Sequence, residues 1–251
     1  MSATILWLTG WSMPDSVFDR LRLELPDFEH KSVDYSQAVT PEEIFQRVER
    51  AAAEWTEQDS RCKGPLLVAG WSLGALLALR LGVQGAADGL LLLAGTARFV
   101  RPSHQRELGW PDSYLRQMLA SIAKDRPTIE GLFRRSLCTD AEWEAGRGEL
   151  LPPAGSWSAE ALMAGLRILR TEDYTDRLTL IRHPILLVHE HDDRVCPFGA
   201  AEEIASRTAQ AKLSGWTGCG HVPFLGRETE VAEAIRSWWY GGQSGQNPAS
   251  I

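Results

Sequence analysis

One serine stands out for its chemistry, in the segment Gly70-Trp71-Ser72-Leu73-Gly74. This G-x-S-x-G pattern follows an apolar run, Pro65 to Ala69, and precedes a helix-forming run, Ala75 to Leu81. Glycines on both sides let the backbone turn sharply, so that the Ser72 hydroxyl stands above the edge of a sheet. N–H groups at the start of the helix point to the same place and favour developing negative charge. The pattern predicts a nucleophilic serine at a strand-to-helix turn.

A serine hydroxyl needs a general base and a third group that orients the base. His221 is the predicted base, because it lies after the last predicted strand in a glycine-rich loop, 218–224. The acid is expected in the loop after a late strand, where Asp192 and Asp193 are both candidates. Asp193 is favoured because it lies four residues before Pro197, a spacing typical of this position. The chain order serine, acid, histidine is typical of one fold among those that carry such a triad.

Two backbone N–H groups are expected to stabilise the oxyanion of the reaction. Leu73 directly follows the nucleophile and supplies the first, and Trp11, in the loop after the first strand, supplies the second. Loss of one such donor typically raises the barrier by ~2.7 to 4 kcal/mol. The Trp11 indole is also expected to line the acyl pocket.

A metal site is the alternative interpretation of the loop before Pro197. His189 and His191 share one face of a strand, and Asp192 follows them. No further ligand appears with matching spacing, and histidines at strand ends are usually only polar groups. The sequence therefore predicts no metal and no cofactor.

The elements that position these residues are apolar strands alternating with helices. Thr40, Pro41 and Glu43 predict the capped start of an amphipathic helix. The predicted strands are 4–8, an edge strand at Ser32 to Tyr35, 65–69, 89–94, 184–188 and Lys212 to Trp216. Continuous apolar strands that alternate with helices predict an α/β fold, with a mostly parallel sheet and helices on both faces.

The pattern changes between Ala97 and about Arg177, where helical runs follow one another without a buried strand. This change predicts an inserted helical cap, or lid. The expected division is a core of residues 1–97 and 178–240, a cap of residues 98–177, and a disordered tail of residues 241–251 rich in Gly, Ser, Gln and Asn. The helices expected in the cap are 114–123, 129–137, 141–146 and 159–169.

Composition excludes several classes of function. The chain has 251 residues and a formal net charge of −7, which argues against nucleic acid as a partner because phosphate binding needs a clustered basic surface. Four cysteines without paired spacing suggest neither a disulfide framework nor a zinc ribbon. No segment has the apolar length of a membrane span or the features of a signal peptide. We therefore expect a protein of the cytoplasm with no membrane partner.

These motifs together resemble the α/β-hydrolase superfamily over the chain up to about Tyr240. Within it, the sequence is similar to the pimeloyl-[acyl-carrier protein] methyl ester esterases of biotin synthesis. The similar segments are Gly10-Trp11, the motif around Ser72, Gly109-Trp110-Pro111 entering the cap, and 165–173 leaving it. The last segment is the most specific, because generic esterases do not share it.

The resemblance implies an α/β-hydrolase fold and hydrolysis of a methyl ester on a pimeloyl chain that is still attached to its carrier protein. Ser72 would attack, His221 would transfer the proton, and Asp193 would orient the imidazole. It also implies residues that line the acyl groove, namely Trp11, Trp71, Phe133 and Val195. Basic cap residues of the family meet the acidic acyl carrier protein, and the candidates here are Arg134, Arg135 and Arg147.

Three departures concern the substrate more than the chemistry. Thr9 replaces a histidine that commonly precedes Gly-Trp, Ala75 stands where a glycine often follows the motif, and 34–39 lacks the usual Pro-Gly-x-Gly loop. Three alternatives therefore stay open. They are a general short-chain carboxylesterase or thioesterase, a menaquinone-pathway lyase that uses the triad to abstract a proton, and a non-catalytic binding protein.

Overall fold

A six-stranded parallel sheet forms the centre of the protein. The computed structural model describes residues 2–57 and 64–243. The strand order across the sheet is β2-β1-β3-β4-β5-β6, and every neighbouring pair is parallel. The strands are β1 (Thr4–Leu8), β2 (Glu29–Ser32), β3 (Leu66–Trp71), β4 (Gly89–Leu93), β5 (Ile185–Glu190) and β6 (Ala211–Trp216). This architecture confirms the α/β fold class.

Helices surround the sheet on both faces. All residues of β1, β3, β4 and β5 are buried, which requires cover on each side, whereas the two edge strands are partly exposed. The helices are α1 (Asp19–Leu23), α2 (Pro41–Glu57), α3 (Leu73–Val83), α4 (Asp112–Leu137), α5 (Asp140–Glu144), α6 (Ala159–Thr171), α7 (Phe198–Arg207) and α8 (Glu228–Gln243). No helix in the described ranges is long and apolar enough to span a membrane.

The predicted start of α2 is present with one altered contact. Thr40 Oγ1 accepts a hydrogen bond of 3.2 Å from Glu43 N, as in a capping box. The Glu43 carboxylate reaches one residue further back, where Val39 N donates to Oε2 at 2.9 Å.

The edge strand lies three residues earlier than predicted. Strand β2 is Glu29–Ser32, in register with Thr4 to Trp7, whereas the sequence suggested Ser32 to Tyr35. The strand carries no apolar alternation, because it borders solvent on the outer edge of the sheet. Tyr35 is buried in the following loop instead, where its hydroxyl donates to Thr9 O at 2.7 Å.

Helices α4, α5 and α6 lie between β4 and β5, in the segment predicted as the cap. The long helix α4 is kinked at Asp125, two residues before Pro127, which cannot continue the hydrogen-bond ladder. The two ends of this segment pair with each other, because Arg98 and Asp173 form an antiparallel bridge. This closure supports our proposal that residues 98–177 form a unit inserted into the core.

The last helix is longer than expected. Residues 241–243, predicted as part of a disordered tail, belong to α8, because the helix continues after Tyr240 to Gln243. The remainder of the predicted tail, 244–251, lies outside the described residues.

Helix α3 approaches β1 closely at Gly74. A Cβ atom on this residue would lie 2.0 Å from Leu8 O and 2.9 Å from Thr9 O, both backbone atoms. Only glycine allows the helix to come this near to the end of the first strand. The contact sets the height at which the preceding Ser72 stands above the sheet.

We expect Gly74→Ala to lower the free energy of unfolding by about 1–3 kcal/mol or more, because the methyl group must displace backbone. Urea denaturation followed by circular dichroism measures the change. Gly131→Ala is the matched control, since Gly131 is exposed in α4 and its added Cβ has no neighbour within 4 Å. That variant should gain about 0.5–1 kcal/mol from helix propensity. Equal effects of the two substitutions would contradict this account of the contact.

Candidate active site

Ser72 occupies a strained turn between β3 and α3. Its φ is 56° and its ψ is −115°, a left-handed conformation that is rare for a residue with a side chain. The turn is held by a hydrogen bond of 3.1 Å from Ser72 N to Leu93 O. This is the geometry predicted for a serine that must project from the end of a strand.

Three side chains from distant parts of the sequence form a continuous hydrogen-bonded chain. His221 Nε2 lies 2.7 Å from Ser72 Oγ, and His221 Nδ1 lies 2.8 Å from Asp193 Oδ2. All three residues are buried. With Nδ1–H donated to the carboxylate, Nε2 is left to accept the serine proton. The arrangement can therefore deprotonate Ser72 during attack on a carbonyl carbon.

The surroundings of Asp193 keep this residue ionised. Burial by itself raises its pKa, but the charge of His221 and hydrogen bonds from His189 and His221 outweigh burial and hold the pKa well below its usual range. Its other oxygen, Oδ1, accepts backbone hydrogen bonds of 2.8 Å from Val195 N and 2.9 Å from Cys196 N. Asp193 can therefore stabilise a positively charged imidazole while keeping a fixed orientation.

Asp192, the competing candidate for the acid, lies elsewhere. It is exposed, and its Oδ2 accepts a hydrogen bond of 3.1 Å from Gly218 N. The structure thus places only Asp193 against His221, and Asp192 supports the loop that precedes the histidine.

His189 contacts the candidate acid, a contact that the sequence analysis missed. Its Nε2 lies 3.4 Å from Asp193 Oδ2 and 2.7 Å from Cys196 O. The spacing of four residues between His189 and Asp193 was visible in the sequence, but His189 had been considered only as a metal ligand beside His191 and Asp192. His191 turns away and stacks on Phe198 at a ring-centroid distance of 3.7 Å. Within the described residues, no group of three or more potential ligands could hold a metal ion.

The two backbone amides proposed for the oxyanion site are free to act as donors. Leu73 is the first residue of α3, so its N–H has no partner within the helix. Neither the Leu73 amide nor the Trp11 amide donates a hydrogen bond to another group of the described residues. The Trp11 side chain is anchored separately, because its Nε1 donates to Leu162 O of α6 at 2.8 Å. This bond ties the Trp11 side chain to the cap.

A narrow apolar pocket, partly open to solvent, lies between the cap and the core. Trp11, Phe133 and Val195, predicted for the acyl groove, line it, and the rings of Trp11 and Phe133 meet edge to face at 4.9 Å. The residues that the prediction omitted are Phe99, Trp110, Tyr114, Leu115, Met118, Ser136, Leu166 and Leu169. Of these, Trp110, Leu166 and Leu169 belong to the segments that carry the family resemblance, which was an available signal.

The structure corrects the placement of Trp71. This side chain is fully buried and does not line the cavity, because its indole turns toward the loop of the candidate base. Its Nε1 donates to His221 O at 2.7 Å, and its ring packs edge to face on Phe224. Trp71 therefore supports His221 from below and is not a wall for the acyl group.

The three arginines predicted to meet a carrier protein are each engaged within the molecule. Arg134 is half-buried and donates to Pro152 O. Arg135 pairs with Asp140 on the surface, and Arg147 Nη1 lies 3.4 Å from Cys219 Sγ. They do not form one free basic patch.

The family comparison agrees with this geometry. The sequence model described as "Alpha/beta hydrolase family" matches residues 5–234, nearly the whole described chain. The chain belongs to the alpha/beta hydrolase family. Solved structures similar to this hydrolase include an esterase from Exiguobacterium antarcticum, with a TM-score of 0.78, 20% identity, and coverage of 94% of this chain and 91% of the esterase. The enol-lactonase from Burkholderia xenovorans LB400 has a TM-score of 0.76 at 14% identity, covering 96% of this chain and 92% of its own.

Curated relatives are more similar in sequence. The pimeloyl-[acyl-carrier protein] methyl ester esterase of Nitrosomonas europaea is 30% identical over 88% of this chain and 89% of the relative. The protein of the same name from Xanthomonas campestris pv. campestris strain B100 is 34% identical over 66% of this chain and 67% of the relative. Family membership and these relatives identify this hydrolase as a carboxylic ester hydrolase.

Glu190 is a second buried carboxylate at the end of β5, and its pKa moves in the opposite direction from that of Asp193. Burial raises the pKa of Glu190 from 4.5 to about 7, and the nearby charge of Arg227 offsets only part of that effect. Arg227 Nη1 lies 3.0 Å from Oε1, while Oε2 has no hydrogen-bond partner among the residues that the structure describes. Glu190 therefore titrates near neutral pH in this hydrolase.

We expect Asp193→Asn to lower kcat by about 10³- to 10⁴-fold, because an amide favours the wrong tautomer of the imidazole. Ester hydrolysis at saturating substrate measures the loss. Asp192→Asn is the control, since Asp192 is exposed and does not touch His221; its kcat should stay within about threefold of the wild type. A larger loss in the Asp192 variant would refute the assignment of the acid.

We expect the stability of the wild type to fall as the pH rises from about 4.5 to 7, because over that range the folded protein holds a proton on Glu190 that the unfolded chain has released. Glu190→Gln removes this difference, so its free energy of unfolding should decline less over that range, by on the order of 1–3 kcal/mol. Chemical denaturation at several pH values measures both slopes. Glu144→Gln, at an exposed position, should keep the wild-type slope; an unchanged slope in the Glu190 variant would contradict the prediction.

Proposed function

We propose that this hydrolase cleaves the methyl ester of a pimeloyl chain carried on acyl carrier protein, a step of biotin synthesis, through an acyl-enzyme on Ser72. The observation that carries the proposal is the chain of hydrogen bonds from Ser72 through His221 to Asp193. An apolar pocket whose lining includes Trp11, one of the proposed oxyanion donors, accompanies it. The names of the curated relatives support the choice of ester. The proposal includes a cytoplasmic location, in keeping with the cysteine usage of the sequence.

The mechanism follows from the roles that the geometry allows. Ser72 Oγ attacks the ester carbonyl carbon while His221 Nε2 takes its proton, and Asp193 stabilises the resulting imidazolium. The carbonyl oxygen becomes an oxyanion facing the free amides of Trp11 and Leu73. Collapse of this intermediate expels methanol, which receives the proton from His221. A water molecule then repeats the sequence on the acyl-serine and releases the carboxylate.

The cavity suits the acyl part of such a substrate. The polar side-chain groups among its lining residues are the hydroxyls of Ser136 and Tyr114 and the indole N–H groups of Trp11 and Trp110, which donate to Leu162 O and Val195 O; none of the lining residues is charged. Each methylene group buried there contributes about 0.8 kcal/mol to binding. A chain of methylene groups next to an ester therefore suits the apolar lining of the cavity, whereas a charged acyl group would not.

A general short-chain carboxylesterase or thioesterase is the second candidate, and one observation favours it. Arg134, Arg135 and Arg147, the residues expected to meet an acidic carrier, are held by contacts within the protein. A carrier would have to compete with these contacts or dock elsewhere. The reaction at Ser72 would be the same for both candidates.

We expect methanol release from pimeloyl-carrier methyl ester to have a higher kcat/KM than release from dimethyl pimelate, by about tenfold or more, because the carrier adds binding surface. An equal or higher kcat/KM for the free ester would contradict the assignment of a carrier-bound substrate but not the assignment of an esterase.

Ser72→Ala is the control for this measurement, and it should abolish release from both esters without changing the melting temperature. Mass spectrometry of the wild type with a slow ester should show an acyl group on Ser72. Methanol release without this adduct would contradict the acyl-enzyme mechanism and favour direct attack by water. The lack of any methanol release would favour the lyase or the binding protein.

A further inference from the structure

The backbone of His221 is held from two directions. From the core, Trp71 Nε1 donates to His221 O at 2.7 Å. From the cap, Leu137 O, at the end of α4, accepts a hydrogen bond of 2.7 Å from His221 N. The position of the imidazole therefore depends on the cap as well as on the sheet.

The residue before the histidine makes a second contact with the cap. Gly220 lies so close to the end of α4 that a Cβ atom would be 2.6 Å from Leu137 O and 3.2 Å from Cys138 Cα. Gly220 N donates to Glu142 Oε2 at 2.8 Å in a buried hydrogen bond. A loop containing Gly218 and Gly220 has wide conformational freedom, so these contacts determine where His221 stands.

Glu142 is a buried carboxylate that the reaction chemistry leaves unused. Only 3% of the residue is exposed, and within the described residues it forms no salt bridge. The same oxygen, Oε2, also accepts from Thr139 N at 2.8 Å and from Thr139 Oγ1 at 3.1 Å, closing a capping box at the start of α5. One carboxylate oxygen thus joins the cap helix to the loop of the candidate base.

We propose that Glu142 is a positioning residue for His221, which it holds in line with Ser72 through the amide of Gly220. This inference rests on the proposed roles of Ser72 and His221. Glu142 does not line the acyl cavity, so it acts on the chemical step and not on substrate binding. A displacement of about 1 Å at a reacting group can cost about 100-fold in rate.

Three variants separate positioning from simple helix capping. Glu142→Met keeps the length of the side chain but removes the acceptor, and its kcat should fall by about 10- to 100-fold with KM within about threefold of wild type. Glu142→Gln retains a carbonyl acceptor for Gly220 N and should recover most of kcat. Thr139→Ala removes Oγ1, which accepts from Glu142 N and donates to Oε2, but Thr139 N and Gly220 N can still donate to Oε2. It should lower the melting temperature and keep wild-type kcat.

A second readout does not depend on turnover. The Nδ1 proton between His221 and Asp193 should give a downfield ¹H resonance in the wild type, in Glu142→Gln and in Thr139→Ala. In Glu142→Met this resonance should broaden or shift. Wild-type kcat and resonance in Glu142→Met, or an equal loss of kcat in Thr139→Ala, would overturn the inference.

Two further outcomes are decisive. If Glu142→Met does not fold, Gly220→Ala tests the same contact from the side of the loop, because its methyl group meets Leu137 O. This variant should show the same loss of kcat and of the resonance. Wild-type values in Gly220→Ala would overturn the inference. If the wild type hydrolyses no ester while the resonance still depends on Glu142, the proposed function fails and the positioning role stands.

Discussion

The structure depends on a buried line of hydrogen bonds that joins residues far apart in the chain. Ser72 and His221 are 149 positions apart, and His221 and Asp193 are 28 apart, yet their side chains meet at 2.7 and 2.8 Å. Such a meeting needs strands whose carboxyl ends lie at one edge of the sheet. The parallel arrangement of β3 and β5 supplies that edge, and the close approach of α3 to β1 at Gly74 sets the height of the serine.

Two carboxylates at the end of β5 show how neighbours decide the effect of burial. Burial raises the pKa of both Asp193 and Glu190. Asp193 also interacts with His221 and His189, and these interactions hold its pKa below the usual range. For Glu190 burial is the largest effect and the charge of Arg227 offsets only part of it, so its pKa stays raised. The end of β5 and the loop after it thus carry one carboxylate whose pKa is lowered and one whose pKa is raised.

The cap has two physical roles in this arrangement. Its aromatic and aliphatic side chains, with Trp11 and Val195 of the core, form an uncharged cavity suited to an acyl chain. Its backbone and Glu142 also hold the loop that carries His221. A substitution in the cap can therefore change both the choice of substrate and the alignment of His221. Substrate specificity and the rate of the chemical step are linked in this way.

The sequence by itself determined the α/β fold class and the strands of the sheet interior, because fully buried parallel strands leave continuous apolar runs. Chain order and spacing were also enough to select Ser72, Asp193 and His221, which the structure brings together. The position of β2 in the sequence was not predicted correctly, because an exposed edge strand carries no apolar pattern. A strand is predictable from its own residues when its burial requires apolar side chains, and it is not predictable when the strand is exposed.

Tertiary structure alone decided which side chains meet across the boundary between cap and core. Trp71 turns toward His221 and not toward the cavity, and Arg134 binds a carbonyl within the cap. The contact of Glu142 with Gly220 spans 78 positions. No periodicity or spacing encodes such a pair, because its geometry exists only after α4, α5 and the loop before α8 have packed against one another.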